Sequence, residues 1–157
     1  MNINFPLEVS LLAVVVAQLL KLPIRYYIAK KWDFSLLIST GGMPSSHSAF
    51  VSALTLALGL TEGIDSPLFA ISFVLAGIVI HDAIGIRREA GKHATVLNDM
   101  KEEINDIINE LNKGKDRDIR VVDKRLKELL GHEPLEVLFG ILLGVVITLL
   151  AFYIYIV

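Results

Sequence analysis

Apolar residues along this chain fall into four blocks separated by polar connections. Phe5–Leu20 is apolar apart from Glu8, Ser10 and Gln18, and Ala49–Leu60 is broken only by Ser52 and Thr55. Pro67–Ile80 continues with little polarity to Ile86, and Leu135–Val157 carries one charge, Glu136, near its start. A membrane-crossing helix needs roughly 20 apolar residues. The last two blocks reach that length; the first two require tilt, local thinning or burial against neighbours. The pattern predicts an all-α integral membrane bundle, with about four transmembrane helices spanning 5–21, 47–60, 66–86 and 135–157. Between the third and fourth spans the rhythm changes. Leu97, Met100, Ile104, Ile107 and Leu111 alternate three and four apart, which is one stripe of a helix. Asn112–Asp116 reads as a turn, and Val122, Leu126 and Leu129 mark a second amphipathic helix. Residues 94–130 are therefore predicted to form a cytoplasmic helical hairpin. Its stripes either cover the inner face of the bundle or pair with another copy.

Composition supports the membrane class: 157 residues suit a single domain, and 54% are hydrophobic. The net charge of −2 conceals a segregation, because all 15 Lys and Arg lie within Lys21–Lys31 and Arg87–Lys127. Basic residues stay on the cytoplasmic side of a membrane protein. Four spans then thread without conflict, with both basic connections inside a bacterial-type plasma membrane and both termini outside. A soluble bundle would not divide its charge in this way. The first block lacks a basic leader and a small-residue cleavage site, so it is predicted as a span and not a signal peptide. There is no cysteine, which excludes disulfides and thiol catalysis. Glu102, Glu103, Asp106, Glu110 and Lys124 read as a solvated face, and this mixture of signs argues against nucleic acid.

Candidate chemistry sits at the inner ends of the spans. In Gly41-Gly42-Met43-Pro44-Ser45-Ser46-His47-Ser48, glycines allow a bend, proline fixes φ, and serines with a histidine open a helix. Such an opening turn suits a phosphate, and the histidine can protonate a leaving oxygen; capping alone explains the serines. Lys21 stands close to the apolar block, whereas Arg25, Lys30 and Lys31, with Tyr26, Tyr27 and Trp32, fit interfacial anchoring. Arg87 and Arg88 either grip phosphate oxygens or simply mark the cytoplasmic end of a span. Asp82 can orient one of them or pair with Lys21. His132 and Glu136 are four apart across a helix start, so the carboxylate can hold Nδ1–H and free Nε2 as nucleophile or base. The threading puts all of these groups at one membrane face.

Pro44-Ser-Ser-His47 resembles the Pro-Ser-Gly-His motif of the type 2 phosphatidic acid phosphatase and vanadium haloperoxidase superfamily. Gly131-His-Glu-Pro-Leu-Glu-Val-Leu-Phe-Gly140 resembles its final motif, a His with an Asp four residues on that leads into a helix. The whole chain is similar to the small divergent branch of that superfamily, its spans matching the last four of six core helices. The resemblance implies that His132 attacks phosphorus, Glu136 orients it and His47 protonates the leaving alcohol. Lys21, Ser45, Ser46 and an Arg of the 87–88 pair would then bind the phosphoryl oxygens, with no metal or other cofactor. Three positions depart from the pattern. Arg25 is too near Lys21, Leu126 stands where an Arg should precede His132, and Arg87 instead precedes His93 at that spacing. His93 is thus a rival nucleophile, disfavoured because Leu97 occupies the place of the Asp. The implied activity is metal-independent hydrolysis of a lipid phosphate or diphosphate at the cytoplasmic leaflet, with a homodimer completing the bundle. The alternative is a non-catalytic membrane protein that binds anionic lipid or a partner through the hairpin. A cysteine placed at Gly114 is expected to react with an impermeant thiol reagent only from the cytoplasmic side; reaction only from outside would reverse the threading.

Overall fold

The computed structural model describes residues 4–30, 32, 34, 41–112, 125–126 and 131–156. Among them are five helices and no strand: α1 (Phe5–Ala29), α2 (Ser46–Thr61), α3 (Pro67–Ile84), α4 (Ile86–Asn112) and α5 (Pro134–Ile156). Local chemistry explains where they start. Asn4 Oδ1 accepts the Leu7 N–H at 3.1 Å, and Ser66 Oγ accepts that of Phe69 at 3.1 Å ahead of Pro67. Each cap satisfies one of the orphan donors of a first turn. α2 is capped by Ser45, with Pro44 lying before the cap and not inside the helix. α1 runs on through Pro23 to Lys30, which ends it in the left-handed region at φ 53°. Lys21 and Arg25 thus share one continuous helix, the first buried and the second exposed.

α1, α3 and α5 are long and apolar enough to cross a membrane; α2 is shorter, at 16 residues or about 24 Å. α2 compensates by sitting in the middle, packed on α1, α5 and α3. Its interior is built from small residues. Ala49 and Ala53 of α2 meet Ala13 and Ala17 of α1, with Leu143 and Ile147 of α5 packed against them. Nearer the other end, Phe5, Val9 and Ala57 pack against Ala151 and Phe152. Large apolar side chains such as Leu11, Val15, Phe73 and Leu142 point outward. Small residues inside and bulky ones outside is the arrangement of a bundle solvated by lipid, where close backbone approach replaces water-driven collapse.

The tightest approach is between α2 and α5. A Cβ on Gly140 would collide with the Ser45 carbonyl, and one on Gly144 with Ser52 Oγ and the Ala49 carbonyl. Hydroxyls reinforce the joint. Ser52 donates to the Ser48 carbonyl at 2.7 Å and reaches Ile141 O of α5 at 3.4 Å. Thr148 donates to Gly144 O at 2.8 Å and reaches Ala53 O of α2 at 3.4 Å. Thr55 similarly links Val51 O with Ser72 O of α3.

α4 restarts at Ile86, directly after Gly85, so the helical insertion begins earlier than the predicted residue 94. Its Asn98 side chain is buried and clamps one residue of the returning chain, accepting Leu126 N–H and donating to Leu126 O, both at 3.0 Å. Arg125 pairs with Glu102. Arg125 and Leu126 are not helical, although the periodicity assigns Leu126 to a second amphipathic helix. An amide that takes both backbone groups of a residue replaces the bonds a helix would have made there. Val122 and Leu129 lie outside the described residues.

Gly144→Leu is expected to wedge α2 from α5 and cost about 1–3 kcal/mol, read as a lower unfolding midpoint in detergent. Gly77→Ala, where a Cβ meets nothing within 4 Å, should leave that midpoint unchanged or slightly raised.

Candidate active site

The up-and-down course of α1, α2, α3 and α5 brings Lys21, the start of α2, the end of α3 and the start of α5 to one end of the bundle. The backbone holds these pieces before any side chain is considered. Ser45 N–H donates to Glu136 O at 2.9 Å, and His132 N–H donates to Ala83 O at 3.0 Å. Gly131 has φ 81°, and a Cβ there would overlap the backbone of Arg87 and Arg88. Only glycine combines that conformation with that approach. The first turn of α5 is therefore fixed to the start of α2, and the loop before it to α3 and to the start of α4.

His132 is 2% exposed. Its Nδ1 lies 3.0 Å from Glu136 Oε2, and an ionised carboxylate only accepts, so the proton belongs on Nδ1. The same Glu136 oxygen accepts Glu133 N–H at 3.2 Å, closing the first turn of α5 as a capping box does. One carboxylate thereby both starts the helix and sets the imidazole tautomer. Nε2 is left buried with no hydrogen-bond partner among the described residues. The His47 ring is its neighbour, with centroids 6.1 Å apart and planes at 61°.

Cations surround this pair. Lys21 is 1% exposed, close enough for its charge to act on both Glu136 and His47. Arg87 and Asp82 also act on His47, and they pair with each other through Nε and Oδ2 at 2.5 Å. Asp82 thus holds Arg87. Arg88 Nη2 lies 3.2 and 3.3 Å from the two oxygens of Glu133, while its Nε is buried and has no partner among the described residues. Ser45 Oγ accepts from Ser48 N–H at 3.3 Å and Ser48 Oγ–H at 3.0 Å beneath Gly140, so it is engaged in capping and packing. Ser46 is buried as the first residue of α2. His93 is exposed on α4.

Sequence reasoning missed two contributors. Glu133 is an unremarked neighbour of His132 until its pairing with Arg88 is seen; its position as the residue before Pro134 was the available signal. Gly131 enters the sequence pattern only as the first residue of the His132 motif, and the spatial proximity of Arg88 that makes glycine obligatory has no local signature.

The fold and this end of the bundle define an α-helical membrane protein with two histidines and several cations gathered at one polar end. The chain belongs to the Divergent PAP2 family, whose sequence profile matches residues 2–147. It is 48% identical over 150 residues to a Bacillus subtilis (strain 168) protein named "Uncharacterized membrane protein YuiD", covering 96% of this chain and 95% of that one. No solved structure matches it.

Carbethoxylation of the folded protein by diethyl pyrocarbonate is expected to modify exposed His93 well before buried His132, as read by peptide mass spectrometry. Equal rates at the two histidines would contradict the burial described above.

Proposed function

We propose that this protein is a metal-independent phosphatase of a lipid phosphate, acting at the cytoplasmic leaflet through a phosphohistidine on His132. The observation that carries the reading is the buried His132 imidazole beside His47, its Nδ1 held by Glu136 and its Nε2 without a partner among the described residues. A buried polar atom with no hydrogen bond costs about 1–3 kcal/mol, which is consistent with a position kept ready for a ligand. Membership of the Divergent PAP2 family supports a phosphatase relationship.

In the proposed reaction Nε2 attacks the terminal phosphorus and its P–O bond to the leaving group breaks, the leaving group being the lipid alcohol of a monoester or the lipid monophosphate of a diphosphate. Protonated His47 gives its proton to the departing oxygen. Water then attacks the phosphohistidine while His47 takes back a proton, releasing inorganic phosphate and restoring both imidazoles. Lys21, Arg87 and Arg88 would offset the charge on the equatorial oxygens, which is where stabilisation counts most in phosphoryl transfer. Arg88 would exchange its Glu133 carboxylate for a phosphoryl oxygen, with Asp82 keeping Arg87 oriented. The lipid-facing exterior of the bundle suits a substrate whose acyl or prenyl chain stays in the bilayer. Phosphatidic acid, phosphatidylglycerophosphate and a polyprenyl diphosphate are the candidate substrates.

Phosphate release from that panel by purified protein is expected to fall below detection in His132→Ala and roughly 10²–10⁴-fold in His47→Ala. No release by the parent from any lipid phosphate, or equal release by all three proteins, would favour the non-catalytic lipid- or partner-binding reading.

A further inference from the structure

Three buried polar atoms have no hydrogen-bond partner among the described residues: His132 Nε2, Arg88 Nε and Gln18 Oε1. The first two belong to the polar end already described. Gln18 lies inside α1, three residues before Lys21, which places it about 4.5 Å deeper in the bilayer than that cation. The hydroxyls of the spans behave differently. Ser10, Ser52, Thr55, Ser72 and Thr148 each donate to a carbonyl one turn back on their own helix. An amide oxygen cannot be satisfied that way, and a polar group inside a span is costly unless it meets a partner.

Helix geometry shows what Gln18 faces. Phe5, Val9, Ala13, Ala17 and Lys21 follow one another around α1 in steps of about 40°, from the side packed on α5 to the side packed on α2. Gln18 stands about 60° beyond Lys21 in the same sense, on the flank away from α5. On α2, Ser52 faces α5, Thr55 faces α3, and Ala49 and Ala53 face α1. His47, Phe50 and Leu54 take the remaining arc, all three half-buried. α1 and α3 border that arc and do not meet among the described residues. A cleft floored by α2 therefore runs from His47 toward the bilayer core, with Gln18 on its α1 wall.

We infer that Gln18 sets the lipid specificity of the proposed phosphatase: its amide donates to an ester carbonyl of a glycerolipid phosphate, which is favoured over a polyprenyl phosphate. The inference takes its ligand from the phosphatase reading and rests on it. With the phosphoryl group held near Lys21 and the two histidines, the atoms one helical turn deeper are those that join headgroup to chains. In a diacylglycerol phosphate these include ester oxygens; in a polyprenyl phosphate they are carbon and hydrogen only. A primary amide suits the first, because rotation about its last side-chain bond exchanges oxygen for NH2 and brings donors to where Oε1 now lies. Hydrocarbon at that place leaves the amide unpaired, a difference worth about tenfold in affinity.

The test uses non-hydrolysable phosphonate analogues of dioleoyl phosphatidic acid and of geranylgeranyl phosphate. Their dissociation constants are measured for the purified parent and Gln18→Leu in detergent micelles, beside turnover of the two hydrolysable lipids. The parent is expected to prefer the phosphatidate analogue. Gln18→Leu is expected to shrink the ratio of the two affinities about tenfold, through weaker binding of the phosphatidate analogue alone. Each ratio is taken within one preparation, so a loss of folded protein cancels. An unchanged ratio, whether from no loss or from equal loss of both, would overturn the inference, as would binding of neither analogue. Turnover with an unchanged ratio overturns it while leaving the phosphatase standing. The expected change in ratio without turnover sustains Gln18 as the lipid contact and overturns the hydrolysis.

Discussion

The close approach of α2 to α5 is the constraint on which the rest depends. Glycines at 140 and 144 let the two backbones come together until Ser45, Ala49 and Ser52 fill the space a side chain would need. In lipid there is no water-driven gain from burying leucine, so association rests on packing and on hydrogen bonds between helices. Ser52 and Thr148 supply those bonds without unpairing their own turns, since each hydroxyl donates to a carbonyl of its own helix first. At the polar end the joint closes with a backbone bond from Ser45 to Glu136. Because His47 lies two residues after Ser45 and Glu136 holds His132, the register of the joint also sets the distance between the two imidazoles.

From that joint the polar end is assembled by groups serving two purposes. Glu136 caps α5 and fixes the tautomer of His132. Gly131 turns the chain and leaves room for the backbone of Arg88. Asp82 and Glu133 each hold one arginine, so both guanidinium groups are balanced and directed. Lys21, enclosed near the end of a long apolar helix, is costly to bury without neighbouring negative charge, and Glu136 provides it. Two buried nitrogens at this end, His132 Nε2 and Arg88 Nε, have no hydrogen-bond partner among the described residues.

Much of this was legible in the residues themselves. Apolar block length gave the long helices, because bilayer thickness imposes length and a long block has few other uses. The His132–Glu136 pair was legible because four residues on a helix bring side chains together regardless of tertiary context. What stayed hidden depends on contacts between distant segments. Nothing local in Glu133 announces Arg88, and nothing local in Leu126 announces that the Asn98 amide will capture its backbone and break a periodic pattern. Ser45 illustrates the opposite case. Its motif suggests a phosphate contact, while the structure commits its oxygen to Ser48 and its surface to Gly140.

The proposed reaction requires a covalent phosphoenzyme, formed at one place. The most direct measurement is rapid alkaline quenching during turnover of a lipid carrying radiolabelled phosphate, followed by peptide mapping of the protein. The expected result is an acid-labile, alkali-stable label on His132 that accumulates within a single turnover. Label on His93 or on a serine, or phosphate released with no labelled protein at any time, would contradict the account.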